Sequence, residues 1–374
     1  MKIGLLTVPF NNNYGGYLQA FALMVVLKRM GHEPTLIMRR HNKRKMDWKT
    51  FVKYFIKGVY HSFVYAKLCP LIYNVERDYK YLGANMHLFV DKWIEPQTPY
   101  LYSTDELQKF CKGRFEAYVV GSDQVWRAIY VPSIENYFLD FAVDWNVRRI
   151  AYAASFGIEK PEYTQEEKDI CRQLVPLFDS ISFRELNGKK IFKEFGWSDS
   201  NYQLVLDPTM LLKACDYEAF LPKLDNEGRS HIFYYVLDKT PEVSKILDVI
   251  HKMLKIPLYG ISNIQRGYKP LPSIEAWLFD IQRAKFVVTD SFHGMVFSII
   301  FHKPFVVLVN GKRGAERFLN LLTLLNLDER LLTSIDSLDG ILEKNINWGI
   351  VDTRLNSLRK KSLDFLTSSL ASNK

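Results

Sequence analysis

Phe286-Val-Val-Thr-Asp-Ser-Phe-His-Gly-Met-Val-Phe-Ser-Ile-Ile-Phe301 is the stretch whose reading decides the fold. Residues 286–289 form a short apolar run with the look of a buried strand, and residues 294–301 form an apolar helical run. Between them stands a short turn, Asp290-Ser-Phe-His293. A strand that passes through a turn directly into a helix is half of a βαβ unit. Read outward, the same alternation recurs. Strands are predicted over 231–237, 257–261 and 305–309, with helices over 241–254, 273–284 and 314–325 and a last helix over 353–370. Towards the N-terminus, strands are predicted over 2–8, 34–38, 117–120, 149–155, 180–183 and 203–206, with helices over 17–30, 165–175 and 188–195. Strands separated by helices imply parallel sheets with right-handed crossovers. The polar stretch 221–230, with Pro, Asn and Gly close together, reads as a linker. The expected organisation is therefore an α/β protein of two Rossmann-like domains, over 1–220 and 229–350, closed by a C-terminal helix over 351–374. Ligands are expected where strands end and in the cleft between the domains.

The chain has 374 residues, 48% hydrophobic and 24% charged, which excludes disordered and low-complexity classes. Four cysteines (Cys69, Cys111, Cys171 and Cys215) stand far apart with no C-x-x-C pair, so neither a zinc site nor a secreted disulfide framework is indicated. The first apolar run stops at Pro9, too short for a signal peptide or a membrane span. A cytoplasmic protein is expected.

The formal charge is +9, and nearly all of it sits in one place. Residues 39–67 hold nine basic residues and one acid, Asp47, which leaves the remainder close to neutral. Trp48, Phe51, Val52, Phe55, Val59 and Phe63 follow helical spacing there, with Lys49, Lys53 and Lys57 in a row beside them. Such a basic amphipathic insertion suits an anionic membrane surface, and equally a helix packed on its own domain with its lysines in solvent. No nucleic-acid-binding motif accompanies the charge, so nucleic acid is not expected as a partner.

Four places carry chemical possibilities. Asn13-Tyr-Gly-Gly16 follows the first strand, where glycines let a ligand approach a helix start, although a tight turn needs the same residues. Its spacing is not G-x-G-x-x-G, and the second strand runs into Arg39-Arg40 rather than an acid, so a nicotinamide dinucleotide is not indicated. In Gly121-Ser-Asp-Gln-Val-Trp126, Asp123 and Gln124 have the chemistry to bind sugar hydroxyls and Trp126 to stack on a sugar face; Asp123 also reads as a helix cap. His293 stands where strand gives way to helix, placed for proton transfer. Arg184, at the end of the strand over 180–183, and Lys312, Arg313 and Arg317 suit a carboxylate or phosphate, though each alone reads equally as a solvated cation.

Together these motifs resemble the polysaccharide pyruvyl transferase family. The resemblance runs nearly end to end. It covers Asn13-Tyr-Gly-Gly-Tyr-Leu-Gln-Ala20, Gly121-Ser-Asp-Gln-Val-Trp126, Ile150-Ala-Tyr-Ala-Ala-Ser-Phe-Gly157, Ser182-Phe-Arg-Glu185, Leu206-Asp-Pro-Thr209, Val288-Thr-Asp-Ser-Phe-His-Gly294 and Arg317-Phe-Leu-Asn-Leu-Leu322. It implies two Rossmann-like domains facing a cleft in a glycosyltransferase-B-like arrangement. It implies phosphoenolpyruvate as co-substrate, with no other cofactor and no metal. The enolpyruvyl group would pass to two hydroxyls of one sugar, in a surface polysaccharide or its lipid-linked precursor, as a cyclic ketal with release of phosphate. His293 matches the family's general acid, with Asp290 beside it, and Arg184 matches an arginine that holds the donor anion. The expected donor side is Arg184, Ser291, Phe292, Lys312, Arg313 and Arg317, and the expected acceptor side is Asn13, Tyr14, Gly15, Gln19, Asp123 and Trp126.

The sequence departs from the family at one point. Where some branches carry Arg-x-His, this chain has Ser291-Phe-His293, so either Ser291 gives a hydroxyl contact and Lys312, Arg313 or Arg317 takes over the charge, or the donor site differs. Two alternatives on the same fold stay open, a nucleotide-sugar glycosyltransferase and a glycan-binding assembly protein without turnover. A peripheral position at the inner membrane face is the expected site of action if residues 39–67 meet lipid.

Overall fold

The computed structural model describes all residues except 42–47, 49–51, 53–54, 57–58, 60–79, 198–201, 223–230, 239, 263–269, 310–315 and 372–374. Two parallel sheets carry the fold. The first is ordered β2-β1-β3-β4-β5-β6, from β1 (Lys2–Leu6), β2 (Glu33–Leu36), β3 (Ala117–Asp123), β4 (Arg148–Ala154), β5 (Ser180–Phe183) and β6 (Gln203–Leu204). The second is ordered β11-β10-β9-β7-β8, from β7 (Ile232–Val236), β8 (Leu258–Ser262), β9 (Phe286–Thr289), β10 (Phe305–Leu308) and β11 (Leu331–Leu332). Every described pairing between these strands is parallel. β3 and β9 are buried at every residue, which explains apolar runs without alternation.

Both sheets reverse direction of growth at one position. In the first, the chain passes from β1 outward to β2 and then back across β1 to β3; in the second, β7, β8 and β9 repeat the pattern. The crevice beyond the carboxyl ends at such a switch point is where open α/β sheets bind ligands. Helix α1 (Tyr14–Arg29) leaves β1, and helix α4 (Phe292–Ile300) leaves β9, so each starts at its own sheet's switch point.

α1 and α4 both begin earlier than their hydrophobic spacing indicates, because polar caps ahead of the apolar faces set the first turns. Asn13 Oδ1 accepts from the Gly15 N–H and caps α1, so the helix starts at Tyr14 rather than at residue 17. Ser291 Oγ accepts from the Gly294 N–H and caps α4. His293 therefore lies inside the first turn of a helix, not in a loop ahead of it.

The domains share an apolar core. Tyr14 of α1 stacks on Trp277 of α3 (Ile274–Arg283), with ring centroids 4.9 Å apart, and its hydroxyl donates to the Pro272 carbonyl. Helix α2 (Ala84–Trp93), which the hydrophobic pattern did not reveal, packs Phe89 against Phe21 of α1. The final helix α5 (Trp348–Ala371) returns to the first domain, where Ser362 Oγ accepts from the Leu206 N–H and Arg359 donates to the Met210 carbonyl. In the basic insertion, Trp48, Val52, Phe55, Ile56 and Val59 are helical, with Trp48, Phe55 and Ile56 exposed. Lys49, Lys53 and Lys57, like most of the linker over 221–230, lie outside the described residues. Among the described residues, no helix is long and apolar enough to cross a membrane.

Candidate active site

The two switch points meet at His293. Its imidazole lies against Gly15 of α1 so closely that a Cβ on that glycine would fall 1.8 Å from Nδ1. Gly15 is thus fixed by the ring it accommodates rather than by its own backbone angles. The ring's other nitrogen, Nε2, is buried and has no hydrogen-bond partner, and it stands 3.6 Å from Oδ2 of Asp207. A buried ring nitrogen whose only near group is a carboxylate just beyond hydrogen-bond distance has room to engage a further group.

Asp207 follows β6, and its oxygens are held by the Thr209 hydroxyl (2.7 Å), the Thr209 N–H (3.1 Å) and the Ser122 hydroxyl (3.2 Å). Burial alone would favour its neutral form. His293, Arg184 and the Thr209 hydrogen bond outweigh burial and hold the carboxyl well below the usual carboxylate range. Asp207 stays ionised and fully buried beside the imidazole. The sequence contained this residue in Leu206-Asp-Pro-Thr209 but gave it no role; an acid directly after a predicted strand and ahead of a proline was the available signal.

Arg184 sits at the centre of the cluster. Its Nη2 donates to Asp123 (2.9 Å), its Nη1 to Asp207 (3.1 Å) and its Nε to Glu185 (3.2 Å). Burial disfavours the charge, and the three carboxylates more than offset it, raising the guanidinium above its ordinary value. Beside the expected grip on the donor anion, Arg184 therefore has a structural role. Its nitrogens are occupied by carboxylates from the ends of β3, β5 and β6, so it ties those ends together and fixes Asp207.

Several other expected site residues turn out to be supports. Trp126 is fully buried, stacks on Phe138 with centroids 4.9 Å apart, and donates its Nε1–H to the Tyr137 carbonyl; the sugar-stacking reading fails because the ring belongs to the core. Tyr14 is an interdomain strut for the same reason. Gln19 is buried and braces the strand ends, donating to Thr7 Oγ1 and accepting from the Ser122 N–H. Asp290 accepts from the N–H groups of Leu237 and Asp238 with its two oxygens, so it holds the chain after β7 rather than joining the proton transfer. Ser291 caps α4, its Oγ accepting from the Gly294 N–H and its hydroxyl proton left to donate.

Other expected residues border small openings at the strand ends. Asn13 and Asp123, with Asn11, Gln124 and Tyr130, line a narrow cleft beside the start of α1. Phe292, Arg184 and Asp207, with Asn320, line a second, mostly apolar cleft between the domains. The Arg317 guanidinium lies 5.9 Å from the Phe292 ring centroid and borders a third opening with Glu185 and Asn187. Lys312 and Arg313 lie outside the described residues. Among the described residues, no group of three or more His, Cys, Asp or Glu side chains is arranged to hold a metal ion.

Two parallel α/β domains, facing one another across their switch points with a histidine between them, define a protein of the glycosyltransferase-B-like class. The same fold is seen in a Listeria monocytogenes protein described as a UDP-N-acetylglucosamine 2-epimerase (TM-score 0.56, 8% identity, 100% of this chain and 98% of that one). It is also seen in UDP-GlcNAc 2-epimerase from Neisseria meningitidis bound to UDP-GlcNAc (0.52, 9%, 100% and 100%) and in UDP-GlcNAc 2-epimerase from Methanocaldococcus jannaschii (0.52, 11%, 93% and 93%). At these identities the likeness is one of fold. Among curated proteins, none matches. The polysaccharide pyruvyl transferase family model matches residues 13–312, most of the chain, and the chain belongs to that family.

Proposed function

We propose that this transferase moves the enolpyruvyl group of phosphoenolpyruvate onto two hydroxyls of one sugar, in a surface polysaccharide or its lipid-linked precursor. In this reading protonated His293 delivers its proton to the methylene carbon of the donor, leaving positive charge at the adjacent carbon. One acceptor hydroxyl attacks that carbon and gives its proton to the now neutral His293. The second hydroxyl then displaces phosphate, which departs carrying that hydroxyl's proton, closing the cyclic ketal. Asp207 stabilises the imidazolium before transfer. The observation that carries the proposal is the buried, unpartnered Nε2 of His293 beside an ionised carboxylate, at the meeting of two switch points.

With three of Arg184's five N–H donors engaged by carboxylates, much of the donor's negative charge falls to the positive end of α4, to Arg317 and, outside the described residues, to Lys312 and Arg313. This division replaces the arginine that Ser291 lacks. Asn13, Asp123, Gln124 and Tyr130 are the proposed sugar contacts, since amides, a carboxylate and a phenol match neutral hydroxyls. We also propose that residues 39–67 hold the enzyme at the inner membrane face, with Trp48, Phe55 and Ile56 as the described part of that contact.

The deciding measurement is phosphate release from phosphoenolpyruvate against galactose, glucose and mannosamine acceptors, free and lipid-linked, with product mass rising by one pyruvyl ketal. Release that depends on an acceptor supports the reading. Turnover of a UDP-sugar with indifference to phosphoenolpyruvate would replace it with a glycosyltransferase.

A second test follows from the contact between α1 and the imidazole. Gly15→Ala should lower turnover by about 10²-fold, the cost of an ångström-scale displacement of a reacting group. The new methyl has nowhere to go except into the ring's place, while the helix itself gains from alanine. A variant with normal turnover would show that the ring's position is not what limits the reaction.

A further inference from the structure

The hydrogen-bonding sense of the narrow cleft beside α1 is set from behind its wall. Gln124 lines that cleft with Asn13, Asp123 and Tyr130. Its Oε1 accepts from Arg127 Nη1 at 3.3 Å and lies against Gly157, where a Cβ would fall 1.9 Å from it. Gly157 has a φ of 74°, so the backbone and the close approach both call for glycine. An arginine can only donate, so the Gln124 amide cannot turn over without setting N–H against N–H. Among the described residues its Nε2 has no hydrogen-bond partner, and it is the end left for the cleft.

Arg127 fixes a second wall group in the same sense. Its Nη1 also donates to the Tyr130 hydroxyl at 3.0 Å, with the guanidinium 4.4 Å from the centroid of the Tyr130 ring. Because that hydroxyl oxygen accepts, its proton is left to give. The arginine is anchored in turn by Glu162, whose Oε1 accepts from Nη2 at 3.2 Å. Asn13 reaches the same state by another route: its Oδ1 caps α1, which leaves its amide N–H groups uncommitted. The one carboxylate of the cleft is Asp123. Its Oδ1 accepts from Arg184, and its Oδ2 has no partner among the described residues. The Asp123 backbone has a φ of 68°, a left-handed conformation that few residues other than glycine adopt and that clusters at functional sites.

We infer that Arg127 is a positioning residue for the acceptor: by holding Gln124 and Tyr130 through their oxygens, it makes the cleft present hydrogens to the sugar. The acceptor is gripped through the lone pairs of its hydroxyl oxygens, and a hydroxyl proton goes to Asp123 Oδ2. This rests on the pyruvyl-transfer reading and adds to it how the sugar side is recognised. A sugar hydroxyl accepts and donates at once, so it answers both kinds of group, whereas a position without that oxygen leaves oriented donors unmet.

The test measures kcat and the KM of each substrate with the methyl glycosides of galactose, glucose and mannosamine. Arg127→Met should raise the acceptor KM about tenfold and leave the phosphoenolpyruvate KM unchanged. Gln124→Glu is the deciding companion. Its carboxylate keeps and strengthens the contact to Arg127, so the wall retains its support, yet it offers no N–H to the cleft. It too should raise the acceptor KM at least about tenfold, with the unfolding midpoint held. An Arg127→Met variant that only unfolds earlier, with the acceptor KM of Gln124→Glu unchanged, assigns the arginine to structure and overturns the inference. A rise shared equally by both substrates overturns it as well. If no glycoside is turned over with phosphoenolpyruvate, the pyruvyl-transfer reading falls, and calorimetry with the same three glycosides still decides on the cleft. Binding that weakens about tenfold in Gln124→Glu upholds the donor-lined cleft, and binding that is absent from wild type or equal in the variant removes it.

Discussion

His293→Ala is expected to reduce phosphoenolpyruvate-dependent phosphate release by about 10²–10⁴-fold, the usual contribution of a positioned general acid. The imidazole is the group at the junction whose buried nitrogen is left without a partner, while Asp207 beside it is fixed by Thr209 and Ser122. Truncation leaves a cavity against Gly15, so His293→Gln serves as a companion that keeps most of the volume and a polar end but cannot deliver a proton at neutral pH. Both variants should still fold, with a modest fall in the unfolding midpoint because buried Asp207 loses the charge of His293 beside it. Turnover within a few-fold of wild type in the glutamine variant would remove His293 from proton transfer. Loss of activity accompanied by a large drop in unfolding temperature would assign it to structure.

Arg184→Met should act in the opposite manner, on the fold before the chemistry. Removing the guanidinium leaves Asp123, Glu185 and Asp207 buried together with their shared counter-ion gone. Breaking a buried ion pair in this way costs about 3–5 kcal/mol, against a total stability of about 5–15 kcal/mol. Little soluble protein, or an unfolding midpoint many degrees lower, is the expected result. The pH dependence should also reverse. In the wild type, ionised Asp207 contributes stability that is present above the ordinary carboxylate range and lost as pH falls through its depressed folded value. In the variant, crowded carboxylates have raised affinities for protons, so stability should recover as pH falls from 7 towards 5. Had the arginine been the donor's grip, as its place at a strand end implied, the variant would keep its stability and show only a raised KM for phosphoenolpyruvate. Stability and KM measured on the same preparation separate the two roles.

Arg184 shows where sequence reading reaches its limit. A cation at a strand end was visible at position 184, but the carboxylates that consume it come from positions 123, 185 and 207, and nothing in linear order says that they converge. Trp126 failed similarly. A tryptophan after a strand looks the same in sequence whether it faces a sugar or Phe138, and only packing distinguishes them. The caps at Asn13 and Ser291 were legible residues whose consequence was missed, since hydrophobic spacing marks where a helix buries itself and not where its first turn begins.

The sequence by itself determined that strands and helices alternate, that two α/β units follow one another, that His293 stands at a strand-to-helix junction, and that the positive charge is gathered over 39–67. These properties are local: periodicity, turn chemistry and composition act over a few neighbouring residues, and parallel sheets with right-handed crossovers follow from them. The tertiary structure alone decided that both switch points face one histidine, that Gly15 makes room for its ring, and that Asp207 is its charged neighbour. Those facts depend on contacts between residues tens to hundreds of positions apart, and on what each charge meets once water has been removed.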